Sequence, residues 1–135
     1  MTKKNKLEIQ SIIEKILQKY NIDQSGEDYF LKLRKPGYED LIIEKLGEQI
    51  LIGNYYINPS GNYISDPVFA FDYNQGYWFP VRIELIFGHK FCMFSYGGFK
   101  VVYPDIITEF KLLQRMFARN IIEQKYLEDG VKVDD

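Results

Sequence analysis

The sequence predicts an α+β domain. An N-terminal helix leads into an antiparallel meander of five or six strands, and a C-terminal helix follows, with both helices on one face of a curved sheet. Three observations carry this expectation. Apolar residues recur at helical spacing only near the two ends of the chain. Between them, short segments alternate with period two and are separated by turn residues. The connections are of hairpin length, too short for the crossover that a parallel pair needs. Two helices on one face are the economical way to bury such a sheet.

Taken in order, residues 6–20 place Ile9, Ile12, Ile13, Ile16, Leu17 and Tyr20 on one face of a helix, which Thr2 or Asn5 would cap. Asp23, Ser25 and Gly26 supply a break. Strands follow at 29–34, with Leu31 and Leu33 on one side, at 40–45, and at 49–58, with Ile50 and Ile52 on one side. Pro59-Ser60-Gly61-Asn62 makes a turn. Asp66-Pro67 opens the next strand, 68–73, in which Phe69, Phe71 and Tyr73 point one way and Val68, Ala70 and Asp72 the other. A long strand at 77–87 contains Pro80, which removes one amide donor. Residues 90–96 complete the meander, and Gly97-Gly98 breaks the pattern. The second helix begins near Pro104 and carries Ile106, Phe110, Leu113, Phe117 and Ile121 as a stripe. It fades between Glu123 and Leu127, and a frayed tail follows.

The 135 residues fit one domain, 1–135, with flexible ends at 1–5 and 128–135. A hydrophobic content of 46% with 27% charged residues argues against disorder. A net charge of −2 does not advertise nucleic acid. Lys3, Lys4 and Lys6 at the start and Glu128, Asp129, Asp134 and Asp135 at the end read as solvated tails. The single Cys92 excludes an intramolecular disulfide and fits a reducing compartment. Without an apolar leader or an apolar run of spanning length, the expected location is cytoplasmic, with no membrane partner.

No catalytic residue, metal ligand or cofactor is assigned. His89 and Cys92 are each the only residue of their kind, too few for a zinc site, and Cys92 reads as a small buried hydrophobe within a strand. Asp66, Asp72 and Glu84 lie on consecutive strands and would serve a metal-dependent hydrolase if they converged. Gly97-Gly98-Phe99-Lys100 lacks the length and hydroxyl of a phosphate loop. Lys111, Arg115 and Arg119 form a basic stripe that could meet phosphates or an acidic protein.

The most informative feature is aromatic. Fifteen of the 22 aromatic residues lie between Tyr55 and Tyr103, so the excess is local. Two helices cover one sheet face, yet both faces of the central strands carry apolar side chains. Either some rings are exposed as a contact surface, or strong curvature closes the sheet around a second small core. The first alternative names Tyr55, Tyr63, Phe69, Phe71, Tyr73, Tyr77 and Trp78 as partner-binding residues.

From about Asp40 to Tyr126 the chain resembles an uncharacterised domain family of bacterial phages, plasmids and conjugative elements. The resemblance runs through Gly61-Asn62, Asp66-Pro67, Phe69-Ala70-Phe71 and Trp78-Phe79-Pro80. It continues through Gly98-Phe99-Lys100-Val101-Val102-Tyr103, Phe117-Ala118-Arg119-Asn120-Ile121 and Gln124-Lys125-Tyr126. This chain departs from the family pattern at Gly61-Asn62, at Val68, and in lacking a tryptophan in the last helix. The resemblance transfers no catalytic residues. It implies a mobile-element setting, in which the expected role is a non-enzymatic binding module, in its most specific form an inhibitor of a host defence system. Its partner would be a protein or a second copy. The alternatives are a nucleic-acid accessory protein using the basic stripe and the hydrolase reading.

Overall fold

The computed structural model describes residues 6–134. Helix α1 (Glu8–Lys19) opens the chain. Its expected side-chain caps, Thr2 and Asn5, lie outside the described residues. At its first turn the Ile9 amide instead donates to Oε1 of Gln114 at 2.9 Å. One orphan donor of the helix start is thus satisfied from another part of the fold.

Seven strands form one antiparallel sheet: β1 (Tyr29–Arg34), β2 (Leu41–Leu46), β3 (Gln49–Ile57), β4 (Tyr63–Asn74), β5 (Tyr77–Leu85), β6 (Gly88–Phe91) and, after two further strands and two helices, β9 (Val131–Val133). The spatial order is β6-β5-β4-β3-β2-β1-β9. The meander is as the turn spacing predicts. Residues 90–96, however, do not form one strand. The chain breaks at Cys92, and β7 (Met93–Tyr96) pairs with β8 (Phe99–Val102) as a separate hairpin around Gly97-Gly98. The segment after Gly130 is not a frayed tail: β9 pairs with β1, Val133 opposite Lys32.

Helix α2 (Pro104–Glu123) starts at the proline and ends before Lys125, which takes a left-handed conformation (φ 59°) ahead of the short helix α3 (Tyr126–Asp129). Ile9, Ile13, Ile16 and Leu17 of α1 and Phe110, Ala118 and Ile121 of α2 are buried. Beneath them lie Leu31, Leu33, Leu41, Ile43, Ile50, Ile52, Phe69 and Phe71, which the strand registers place on one face. Each fully buried aliphatic or aromatic side chain contributes about 1.5–3 kcal/mol, so this face supplies the bulk of the stability. Phe110 meets Phe69 and Phe71 edge-on, with ring centroids 5.3 and 5.2 Å apart.

The sheet is bent by two register irregularities, one between Gly53 and Tyr55 against β4 and one between Ala70 and Phe71 against β5. At the first, the Asp66–Pro67 peptide is cis. The β4 backbone comes so close to Gly53 that a Cβ there would lie 2.1 Å from the Pro67 carbonyl oxygen. Only glycine permits that approach.

Candidate protein-contact surface

Opposite residues of an antiparallel pair share a face, so the registers define what lies on the side away from the helices. One row across the sheet reads Phe30, Glu44, Leu51, Ala70, Arg82, Phe91. A second reads Lys32, Ile42, Gly53, Val68, Glu84, His89. Beyond the second irregularity Leu46, Gln49, Asp72 and Phe79 continue the face, and Tyr77 packs against Phe79 with centroids 6.1 Å apart. Among the described residues, no helix covers these rows.

The centre of the face is nonetheless dry. Ile42, Val68 and Ala70 are buried. A polar lid seals them. The Tyr55 hydroxyl donates to Glu44 Oε1 at 2.5 Å, and its ring lies 5.5 Å from that of Tyr63. Arg82 Nε donates to Glu84 Oε2 at 3.0 Å, and Glu84 is only 6% exposed. Burial, reinforced by the hydrogen bond to Glu44, pushes the Tyr55 phenol far above its ordinary value. Burial, with the Glu84 carboxylate beside it, pushes Tyr63 up to about 12. Both phenols therefore stay neutral donors.

The two alternatives left open by the sequence are thus each met in part. Curvature closes a thin second core, and rings are exposed around its rim. Phe30, Phe79, Phe91, Tyr63, Tyr77 and Leu46 are all exposed. At the β6 edge the apolar surface continues onto the β7–β8 hairpin. There Phe91, Phe94, Tyr103 and Ile106 bound a shallow cavity of about 310 Å³, Phe94 stacks on Tyr103, and Phe99 is 75% exposed. The β5–β6 turn carries Ile86 and Phe87, the latter 80% exposed, where turns ordinarily hold glycine or polar residues.

The seven residues named from sequence divide. Tyr55, Tyr63 and Tyr77 lie on the uncovered side. Phe69, Phe71 and Trp78 do not: they point to the helices and are buried, so they are core and not contact residues. Trp78 packs on Phe71 and donates its indole N–H to Gln24 Oε1 at 3.1 Å. Tyr73, opposite Trp78, is half-buried against the same core. The alternation at 68–73 is as read, but α1 and α2 cover the phenylalanine side. Sequence reading missed Phe30, Leu46, Phe79 and Phe91, which share the parity of Val68, Ala70 and Asp72. That parity becomes visible only once the registers are known.

Asp66, Asp72 and Glu84 are not gathered. Asp66 is exposed beside the irregularity, Asp72 faces Phe79, and Glu84 is held by Arg82. Among the described residues no group of three His, Cys, Asp or Glu side chains could hold a metal ion. Cys92 is fully buried, and burial, with the Glu109 carboxylate adding to it, pushes its thiol up to about 11, the opposite of an activated nucleophile. The basic stripe is also divided. Arg115 pairs with Glu8 at 2.9 Å, whereas Lys111 and Arg119 are exposed without a carboxylate partner among the described residues. Among those residues, no helix is long and apolar enough to cross a membrane.

A family model described as a domain of unknown function, DUF6908, matches residues 11–127. No curated protein and no solved structure matches.

Proposed function

Because the chain belongs to this family of domains of unknown function, we propose a role from its surface: a non-enzymatic binding module that acts by protein contact through the uncovered face of the sheet. One observation carries the reading. A ring of exposed aromatic and aliphatic side chains, Phe30, Leu46, Tyr63, Tyr77, Phe79 and Phe91, surrounds a small closed polar lid. Contiguous exposed apolar surface marks interaction sites, and tyrosine keeps its hydroxyl wet while its ring is covered. In the mobile-element setting that the resemblance implies, the partner would be a host protein, and a defence component is the most specific form of the reading.

The test exchanges Phe79 and Phe91 for Ser, separately and together, and asks for chemical crosslinking to a partner in extracts of the source cell. The variants should keep the thermal midpoint of the parent, since both rings are exposed. Loss of a central interface ring costs about 2 kcal/mol or more, so the crosslinked species should disappear. Undiminished crosslinking by the folded double variant would remove the face from consideration.

A further inference from the structure

On the opposite side of the molecule, α1 and α2 leave an open groove of about 1130 Å³ between them. Its floor is apolar: Leu7 just before α1, Ile12 within α1, Ile122 from α2 and Leu127 from α3. Ile122, 54% exposed, is the most accessible of these apolar side chains. Lys6, Lys15, Lys111 and Arg115 stand along the groove, against two acids, Glu8 and Glu128. Two of the four cations are already engaged, Lys6 with Glu14 at 2.6 Å and Arg115 with Glu8 at 2.9 Å. Lys15 on α1 and Lys111 on α2 have no carboxylate partner among the described residues, and they flank the floor from its two walls.

We infer that this groove binds an acidic amphipathic helix of a partner protein, its apolar stripe on Ile122 and Leu127 and its carboxylates on Lys15 and Lys111. An amphipathic helix can lay its apolar face into such a groove. The unpaired cations on both walls select the sign of the residues bordering the guest's stripe. The 12-residue α1 offers a wall about 18 Å long, enough for about three turns of a guest helix. A nucleic-acid backbone fits less well: the floor is apolar, and Glu8 and Glu128 would face phosphates. The inference uses none of the residues of the sheet face, so each reading can fail without the other.

The probes are two synthetic amphipathic peptides of about four turns, one with Glu and one with Lys bordering a leucine stripe, and a duplex and a single-stranded DNA oligonucleotide. Fluorescence anisotropy against the full chain should show the Glu peptide binding. Its affinity should fall about tenfold in Lys15→Glu/Lys111→Glu and weaken with salt. A second variant, Ile122→Asp, should weaken it without touching either cation, and circular dichroism confirms that each variant is folded. Equal binding of the two peptides, or no binding of the Glu peptide, overturns the inference. So does DNA binding that Lys15→Glu/Lys111→Glu abolishes while the Glu peptide stays unbound, which would assign the groove to nucleic acid.

Discussion

At the scale of the residue, Gln114 joins more of this fold than its polarity suggests. It is fully buried, accepts the Ile9 amide, and donates through Nε2 to Glu8 Oε1 at 2.8 Å and to the Lys111 carbonyl at 2.9 Å. One side-chain amide therefore closes the start of α1 and fastens it to α2. Gln114→Leu keeps the volume but leaves the Ile9 amide unpaired in a dry site, a cost of about 1–3 kcal/mol. Urea unfolding should show that loss with an unchanged slope. A variant as stable as the parent would mean that water or a shifted neighbour satisfies the amide. No sequence pattern discloses this residue: Gln114 lies inside a helix beside Leu113, and its role depends on where α1 docks.

At the scale of the element, the bend of β3 against β4 decides what the uncovered face looks like. Gly53 lets Pro67 approach, and the strand ends beyond it carry Tyr55 and Tyr63 over the centre. Gly53→Ala would drive a Cβ into the Pro67 carbonyl and the Val68 Cα, both backbone and unable to yield. The expected cost is about 3 kcal/mol, or failure to fold. Gly47→Ala is the contrast. Its φ of +61° is strained for alanine, but nothing lies within 4 Å, so about 1 kcal/mol is expected. Comparable unfolding midpoints for the two variants would show that the contact at Gly53 relaxes. Helices, hairpins and the core stripe were legible because each repeats a period in the sequence. A curved sheet was expected, but where it bends was not legible, because the bend at Gly53 arises from a close approach between residues 14 positions apart. The strands β8 and β9 were not either: Phe99–Val102 follows two glycines, and Val131–Val133 is a run of three residues in an acidic tail.

At the scale of the whole molecule, several carboxylates tie chain segments together and make stability depend on pH. The Arg34 guanidinium, which grips Asp40 through Nε and Nη2 at 3.1 and 3.0 Å, holds that carboxyl below its usual range. The Gln114 amide does the same for Glu8, helped by Arg115. Burial opposes the shift at Glu14, but hydrogen bonds from Lys6, Gln24 and Gln10 outweigh it. A carboxyl whose folded pKa is depressed stabilises the fold above its unfolded pKa, about 4. That contribution is lost as pH falls through the folded value. Urea midpoints should therefore be level near neutrality and fall below about pH 4, and Asp40→Asn should make that fall shallower. An identical acid limb in the variant would mean that Asp40 is as easily protonated folded as unfolded. The same scale explains why the site was only half legible. Which rings are exposed is a property of how many faces the helices cover, and that is settled by docking, not by any strand.

The pairing of β9 with β1 carries a further implication, for the order in which the molecule assembles. Lys32 and Val133 are partners across 101 positions of chain, whereas every other neighbouring pair in the sheet is a hairpin closed locally. Loop-closure entropy is paid before such a distant contact returns anything. The three-residue strand therefore docks last and detaches first. Amide hydrogens of Val131–Val133 should exchange well ahead of those of β3 and β4, leaving a six-stranded sheet intact beneath the same two helices.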